Sequence, residues 1–211
     1  MRSPSTEPSC DAGAILLATL MVMLAMLGAG MSLLLVTDVD VIASANVRDQ
    51  LDVRASSEAA LEFGMAELAR APDWSLVLSG GAGVFFGGGF RMPPTAGGAP
   101  VDAGALTADA QRSTYPAAAW AGDTPQWRLV GHGIPGLDLP GSGLSTRVYV
   151  LLWISDDVAD QDGNVWADAN DRVVLRAQAL GPRGTRAVVQ AVVGRTAAPG
   201  VVRRIGWRRI E

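Results

Sequence analysis

The chain has 211 residues, a formal charge of -4 and 49% apolar residues, which excludes neither membrane nor globular classes but argues against a polyanion-binding or nucleic-acid role. All seventeen basic residues are arginine, a compositional bias rather than a site. The single cysteine, Cys10, leaves the rest of the chain without a partner for an internal disulfide, so stability has to come from packing and hydrogen bonds.

The first predicted element is the uncharged run Ala14 to Val36. Its 23 residues reach about 35 Å as a helix, enough for a hydrocarbon layer of roughly 30 Å. The preceding residues 1–13 are polar and short, ending on a small residue, Gly13. A secretory signal has a shorter apolar stretch with the small-residue cleavage site behind it. Here the candidate processing point, Gly13-Ala14, lies in front. Arg2 on one side and Arg48 and Arg54 on the other do not orient the span by charge.

From Thr37 to Ala71 there is no Pro and Gly64 is the only Gly, so the same helix is expected to run on to Ala71, where Pro72 ends it. Val47, Leu51, Arg54, Glu58, Leu61, Met65 and Leu68 recur at spacings of four and three, a seam that could dock on a domain. Arg54 with Glu58, and Arg48 with Asp52, are placed to pair across one turn.

Residues 72–146 are interrupted by Gly and Pro at short intervals and read as an irregular, variable region with at most short strands at Gly83 to Phe86 and Gln126 to Val130. Residues 147–211 read as an antiparallel sheet of about four strands: Arg147 to Ile154, Arg172 to Leu180, Arg186 to Val193 and Val201 to Ile210, the middle pair joined by Gly181-Pro182-Arg183-Gly184. In the second strand Val173, Leu175, Ala177 and Ala179 alternate with Arg172, Val174, Arg176 and Gln178, which predicts one buried and one wetter face. The expected class is α+β: a long N-terminal helix, with a transmembrane half and a packed half, on a C-terminal antiparallel sheet.

Between the first two of these strands, Asp156 to Asp171 holds eight Asp and Asn side chains. Calcium takes six to eight oxygens from such loops. An EF-hand register does not fit: with Asp160 first, Asp162, Asn164 and Asp168 fall on ligand positions, but Val165 replaces the turn glycine and Asp171 the closing glutamate. A solvated hairpin loop that uses Asp, Asn and Gly as turn formers is the simpler reading, and calcium on Asp160, Asp162, Asn164 and Asp168 the alternative. The C-terminal Arg203, Arg204, Arg208 and Arg209 could meet acids of the helix or a partner surface. His132 is the only histidine, and no nucleophile elbow or phosphate loop occurs, so no catalytic residue and no cofactor other than that calcium is expected.

Gly13-Ala14-Ile15-Leu16-Leu17 opening the span, Asn46-Val47-Arg48-Asp49, and Ser57-Glu58-Ala59-Ala60-Leu61-Glu62 resemble the N-terminal region of PilX-type minor pilins of type IV pilus systems. The finish Gly206-Trp207-Arg208-Arg209-Ile210-Glu211 also looks similar to the ends of such proteins. The resemblance implies a leader, 1–13, cut by prepilin peptidase after Gly13, with Ala14 the new and methylated first residue, and Glu58 as part of the helix motif. It implies an inner-membrane anchor, an exported C-terminal domain, and partners that are other pilin or pseudopilin subunits, met through the helix. Where major pilins carry a glutamate at the fifth mature position, this chain has Ala18, and in lacking that glutamate it resembles tip or low-abundance components such as the GspK class of pseudopilins. The alternative is a single-pass anchored adhesive or calcium-binding domain outside any filament.

Overall fold

The computed structural model describes residues 11–87, 95–96, 99–118, 125–139, 143–144, 147–160, 162–196 and 200–210. In chain order these form helix α1 (Asp11–Arg70), helix α2 (Trp74–Ser79), a two-residue pair β1 (Thr95–Ala96) and β2 (Ala99–Pro100), helix α3 (Ala103–Ala118), strand β3 (Arg128–Gly133), a turn of helix α4 (Pro135–Asp138), and strands β4 (Tyr149–Asp156), β5 (Arg172–Leu180), β6 (Arg186–Arg195) and β7 (Val202–Ile210). The five long strands make one antiparallel sheet in sequence order, β3 to β7. The expected α+β arrangement is present, with five strands where about four were expected. The extra strand is β3, which overlaps the short strand expected at Gln126 to Val130 but runs from Arg128 to Gly133.

The chain divides into two compact units, residues 1–47 and 48–211. In the first, α1 presents apolar side chains on every side: from Gly13 to Val36 all are exposed, Leu16 by 74% and Met26 by 71%. The helix window there is apolar and long enough to cross a membrane, with none of it buried. Exposed hydrocarbon around a whole helix costs free energy in water and none in a lipid layer.

In the second unit α1 lies on the sheet, but not by the expected seam. Val47 and Leu51 are 60% and 59% exposed. The buried face is Asp49, Val53, Ser56, Ser57, Ala60, Leu61, Gly64 and Leu68, which shares only Leu61 and Leu68 with that seam. The reason is size complementarity. The sheet supplies the bulk, Leu152, Ile154, Val173 and Leu175, and the helix meets it with small residues so that its backbone comes close. A Cβ on Gly64 would sit 2.7 Å from Leu152 Cδ2. Arg54 and Glu58 pair as expected at 3.2 Å on the exposed side. Asp52 instead faces Arg147 at 3.7 Å.

Two clasps fix the ends of this contact. Buried Asp49 is ion-paired with Arg183 in the β5–β6 turn and lies 3.6 Å from Arg147. Past the helix end, Arg195 of β6 donates to the Ala71 carbonyl at 3.2 Å and lies 4.6 Å over the Trp74 ring. Trp74 in turn donates its indole N–H to the Leu68 carbonyl at 2.9 Å. Free carbonyls at a helix C-terminus are where a cation is best placed.

The other face of the sheet is covered too, which corrects both the loop-rich reading of residues 72–146 and the wetter face predicted for β5. Helix α3 starts where Asp102 accepts from the Ala105 amide at 3.0 Å, and packs on a second cluster of Ala110, Trp127, Leu151, Trp153 and Val174. Its Thr107 and Thr114 hydroxyls accept from the Trp153 and Trp127 indoles, each at 2.8 Å. With both faces roofed, every residue from Val173 to Ala179 is buried, Arg176 and Gln178 included. The free side of β3 is partly covered by the 85–86 segment. Phe85 N–H donates to Val130 at 2.6 Å, and Phe86 makes a single parallel bridge to Gly131, whose lack of a Cβ admits the Phe86 ring. The strand read at Gly83 to Phe86 is reduced to that bridge.

Candidate functional site

The acid-rich loop between β4 and β5 folds inward at three points. Asp156 is the last residue of β4, on a ladder buried from Val150 onward. Asp160 and Asp168 come from the loop, and one carboxylate oxygen from each of the three lies within 4.8 Å of the others. Asp156 and Asp160 are buried and Asp168 half-buried. Of the four side chains nominated from sequence, Asp160 and Asp168 are therefore in the cluster, and Asp162 and Asn164 are not. Those two are exposed and act as turn formers: Asp162 accepts from the Asn164 amide at 2.8 Å and Asn164 from the Trp166 amide at 3.2 Å.

Asp156 is counted among the loop's acids in the sequence but not in the candidate set, because the EF-hand register tried there begins at Asp160. The readable signal is the unbroken apolar run Val150 to Ile154 of β4, a strand buried on both faces, which leads through Ser155 into Asp156-Asp157.

Local backbone geometry holds the carboxylates in place. Asp160 accepts from the Ala169 amide at 2.8 Å, Asp168 from the Arg172 amide at 3.0 Å, and Asp156 from the Asp157 amide at 2.9 Å. The Asp168 amide donates to Ser75 of α2 at 3.1 Å, which ties the loop to the helix layer. Asp157 accepts from the Asn170 side-chain amide at 2.8 Å, and the carbonyl oxygen of Asn170 is buried without a partner.

No basic side chain among the described residues is paired with Asp156, Asp160 or Asp168. Burial first, and then the neighbouring carboxylates Asp160, Asp157 and Asp168, push the Asp156 carboxyl up to about 7, against the Asp157 amide bond that lowers it. Asp168 is also raised, by burial first and then by Asp171 and Asp160, while the Arg172 and Asn170 amides act the other way. Crowded anions in a poorly solvated site can be relieved by a proton on one of them or by a cation among them. Calcium–oxygen distances near 2.4 Å place two ligands on opposite sides of the ion about 4.8 Å apart, so the three carboxylates are close enough together to meet one hard divalent cation.

Gly13 and Ala14, the nominated processing pair, lie in the first turns of α1 and are exposed. His132 is half-buried on β3, its Nδ1 at 3.1 Å from the Tyr149 hydroxyl. Comparison of the chain with protein-family models, with curated proteins and with solved structures finds no match in any of the three.

Proposed function

We propose that this chain is a minor pilin or pseudopilin, a non-enzymatic subunit that helps assemble, prime or cap a type IV pilus-like filament through its N-terminal helix. The observation that carries the reading is the division of labour along α1. One unbroken helix is apolar and exposed over Gly13–Val36 and, further along, is fitted by small residues against an antiparallel sheet. Such a helix is stable in a bilayer, and equally in a bundle of like helices, so the same surface serves storage in the inner membrane and packing in a filament. The sequence resemblance of residues 13–17, 46–49 and 57–62 to PilX-type subunits supports it. In this reading Gly13 precedes the cut made by prepilin peptidase, the sheet domain is exported to the periplasm, and other subunits are the partners. Ala18, in place of the glutamate of major subunits, suits a component present in few copies.

Mass spectrometry of the N-terminus of the membrane-extracted protein tests this. A methylated Ala14 is the expected result, and an intact Met1 or a cut beyond Val36 overturns it. The second reading, an anchored exported domain outside any filament, is favoured by one observation, the convergence of Asp156, Asp160 and Asp168.

A further inference from the structure

The two borders of the sheet are unequal. The β3 border is six residues long and partly covered by Phe85 and Phe86. The β7 border is nine residues long, and Arg203, Arg204, Ile205, Trp207, Arg208 and Arg209 are exposed on it. One side of β7 is bonded to β6, and among the described residues no strand lies on the other. A bulge at Ile205 breaks the ladder, but from Gly206 to Ile210 the register with Val188–Val192 is regular. An unpaired strand offers a row of amide and carbonyl groups to an incoming chain, and native edges are usually short or bulged to prevent that. Here, among the described residues, nothing pairs with the outer side of the regular part.

Both faces beside this stretch are hollow. On the α3 side a cavity of about 370 Å³ is lined by Trp127, Val174, Gln190, Val192, Gly206 and Arg208. On the α1 side a groove of about 380 Å³ is lined by Glu58, Leu61, Glu62, Arg204 and Trp207. A strand laid along β7 would point successive side chains alternately to these two faces.

Charge selects the occupant. Arg204 is engaged by Glu62, and Arg208 donates to Gln190 at 3.1 Å. Arg203 and Arg209 have no carboxylate partner among the described residues; Arg209 lies 5.9 Å from the Trp207 ring. A second copy of β7 would set arginines against arginines, which opposes pairing.

We propose that the free edge of β7 over Gly206–Ile210 is a strand-addition site for an extended acidic segment of a partner protein. That segment places apolar side chains in the α3-side cavity and a carboxylate near Arg209, which alternates with Gly206 and Arg208 and so lies on the other face of the regular stretch. The inference stands apart from the filament reading, which concerns the helix.

The test uses the full-length chain in detergent and three dye-labelled octapeptides read by fluorescence anisotropy: alternating Glu-Val, alternating Lys-Val, and the Glu-Val peptide N-methylated at every residue. The Glu-Val peptide should bind at least about tenfold tighter than either of the others, the size of one good charged or main-chain contact set. The variant Arg209→Glu should reverse the order of the Glu-Val and Lys-Val peptides while leaving the melting temperature within a few degrees, since the side chain is exposed. Equal binding of the methylated and unmethylated Glu-Val peptides, equal binding of the Glu-Val and Lys-Val peptides, or no binding of any overturns the proposal. So does self-association of the chain that the Glu-Val peptide dissociates, which would make a second copy the occupant.

Discussion

The closest approach of α1 to the sheet sits at Gly64, and adding a methyl group there sets two effects against each other. Gly in a helix interior costs about 1 kcal/mol relative to Ala, so helix propensity favours Gly64→Ala. Packing opposes it. The new Cβ would lie 2.7 Å from Leu152 Cδ2 and 3.3 Å from Leu175 Cδ1, where carbon atoms prefer about 3.5–4.0 Å. Both leucines are fully buried, so neither can swing into solvent.

Overpacking of this kind costs about 1–3 kcal/mol, so Gly64→Ala should lose about 0–2 kcal/mol. Gly64→Leu adds three further carbons at the same point and should lose about 3 kcal/mol or more, which is a large part of a domain's stability. Leu152→Ala alone leaves a cavity and should cost about 2–5 kcal/mol. The pair Gly64→Val with Leu152→Ala should be better than the sum of its singles by at least about 1 kcal/mol, because the added side chain fills the space vacated. Urea titration of the full-length chain in detergent, followed by tryptophan fluorescence, measures this, since buried Trp74 and Trp153 report on the two faces of the sheet. A Gly64→Leu protein as stable as the parent, or strict additivity in the pair, would refute the close-contact argument.

Asp49→Ala removes the acid shared by Arg183 and Arg147, whose side chains are about half exposed; a loss of about 1–2 kcal/mol is expected by urea titration, and an unchanged midpoint would count against the clasp. The carboxyl of Asp156 is raised to about 7 from an ordinary 3.8, so the folded chain holds a proton that the unfolded chain has released. The stability from this group is therefore present at low pH and is lost as pH rises from about 4 to 7. Melting temperatures across that range should show the slope, and Asp156→Asn should flatten it. At pH 7.5 millimolar calcium should raise the melting temperature relative to chelator, and the absence of any shift would speak against a cation among the three acids. Arg176 is buried, its Nε has no partner and burial lowers its pKa; Arg176→Met should be neutral or stabilising by about 1 kcal/mol despite losing the bond to Ser113, and a loss above about 2 kcal/mol would show that the guanidinium is better satisfied than its contacts suggest.

The long helix and β4 to β7 were legible in the sequence because their signals are local. An uncharged run without Pro gives the helix, and Val-rich stretches between Gly, Pro and Asp turns give the strands. The packed face of α1 was not legible in the same way. A search for apolar residues at helical spacing selects the packed Leu61, Met65 and Leu68 but also the exposed Val47 and Leu51, whereas much of the surface that meets the sheet is built from Ser56, Ser57, Ala60 and Gly64, which carry little hydrophobic signal. Helix α3 was obscured by the surrounding Gly and Pro, although Asp102 ahead of an Ala-rich stretch is an N-cap signature. The buried outer face of β5 was missed for a related reason: Arg176 and Gln178 look solvated until α3 covers them. In the acid loop, composition marked all eight Asp and Asn side chains and a register begun at Asp160 singled out four, but neither could show that Asp156 turns toward Asp160 and Asp168, because that depends on where β4 ends against its neighbours.

The Asp49–Arg183 pair joins residues 134 positions apart, and this separation bears on how the chain reaches its fold. The small-residue face of α1 is synthesised first, but Leu152 and Leu175, which fill it, come far later in the chain. A structure that closes through such distant partners forms slowly, because the entropy of a long loop is lost before the contacts that compensate it exist. During that interval Val53, Leu61 and Leu68 are uncovered beside an apolar helix with its own tendency to associate. If the apolar run Gly13–Val36 sits in a lipid layer, it is kept out of that competition, and its burial there would also act as a folding aid for the domain that follows it.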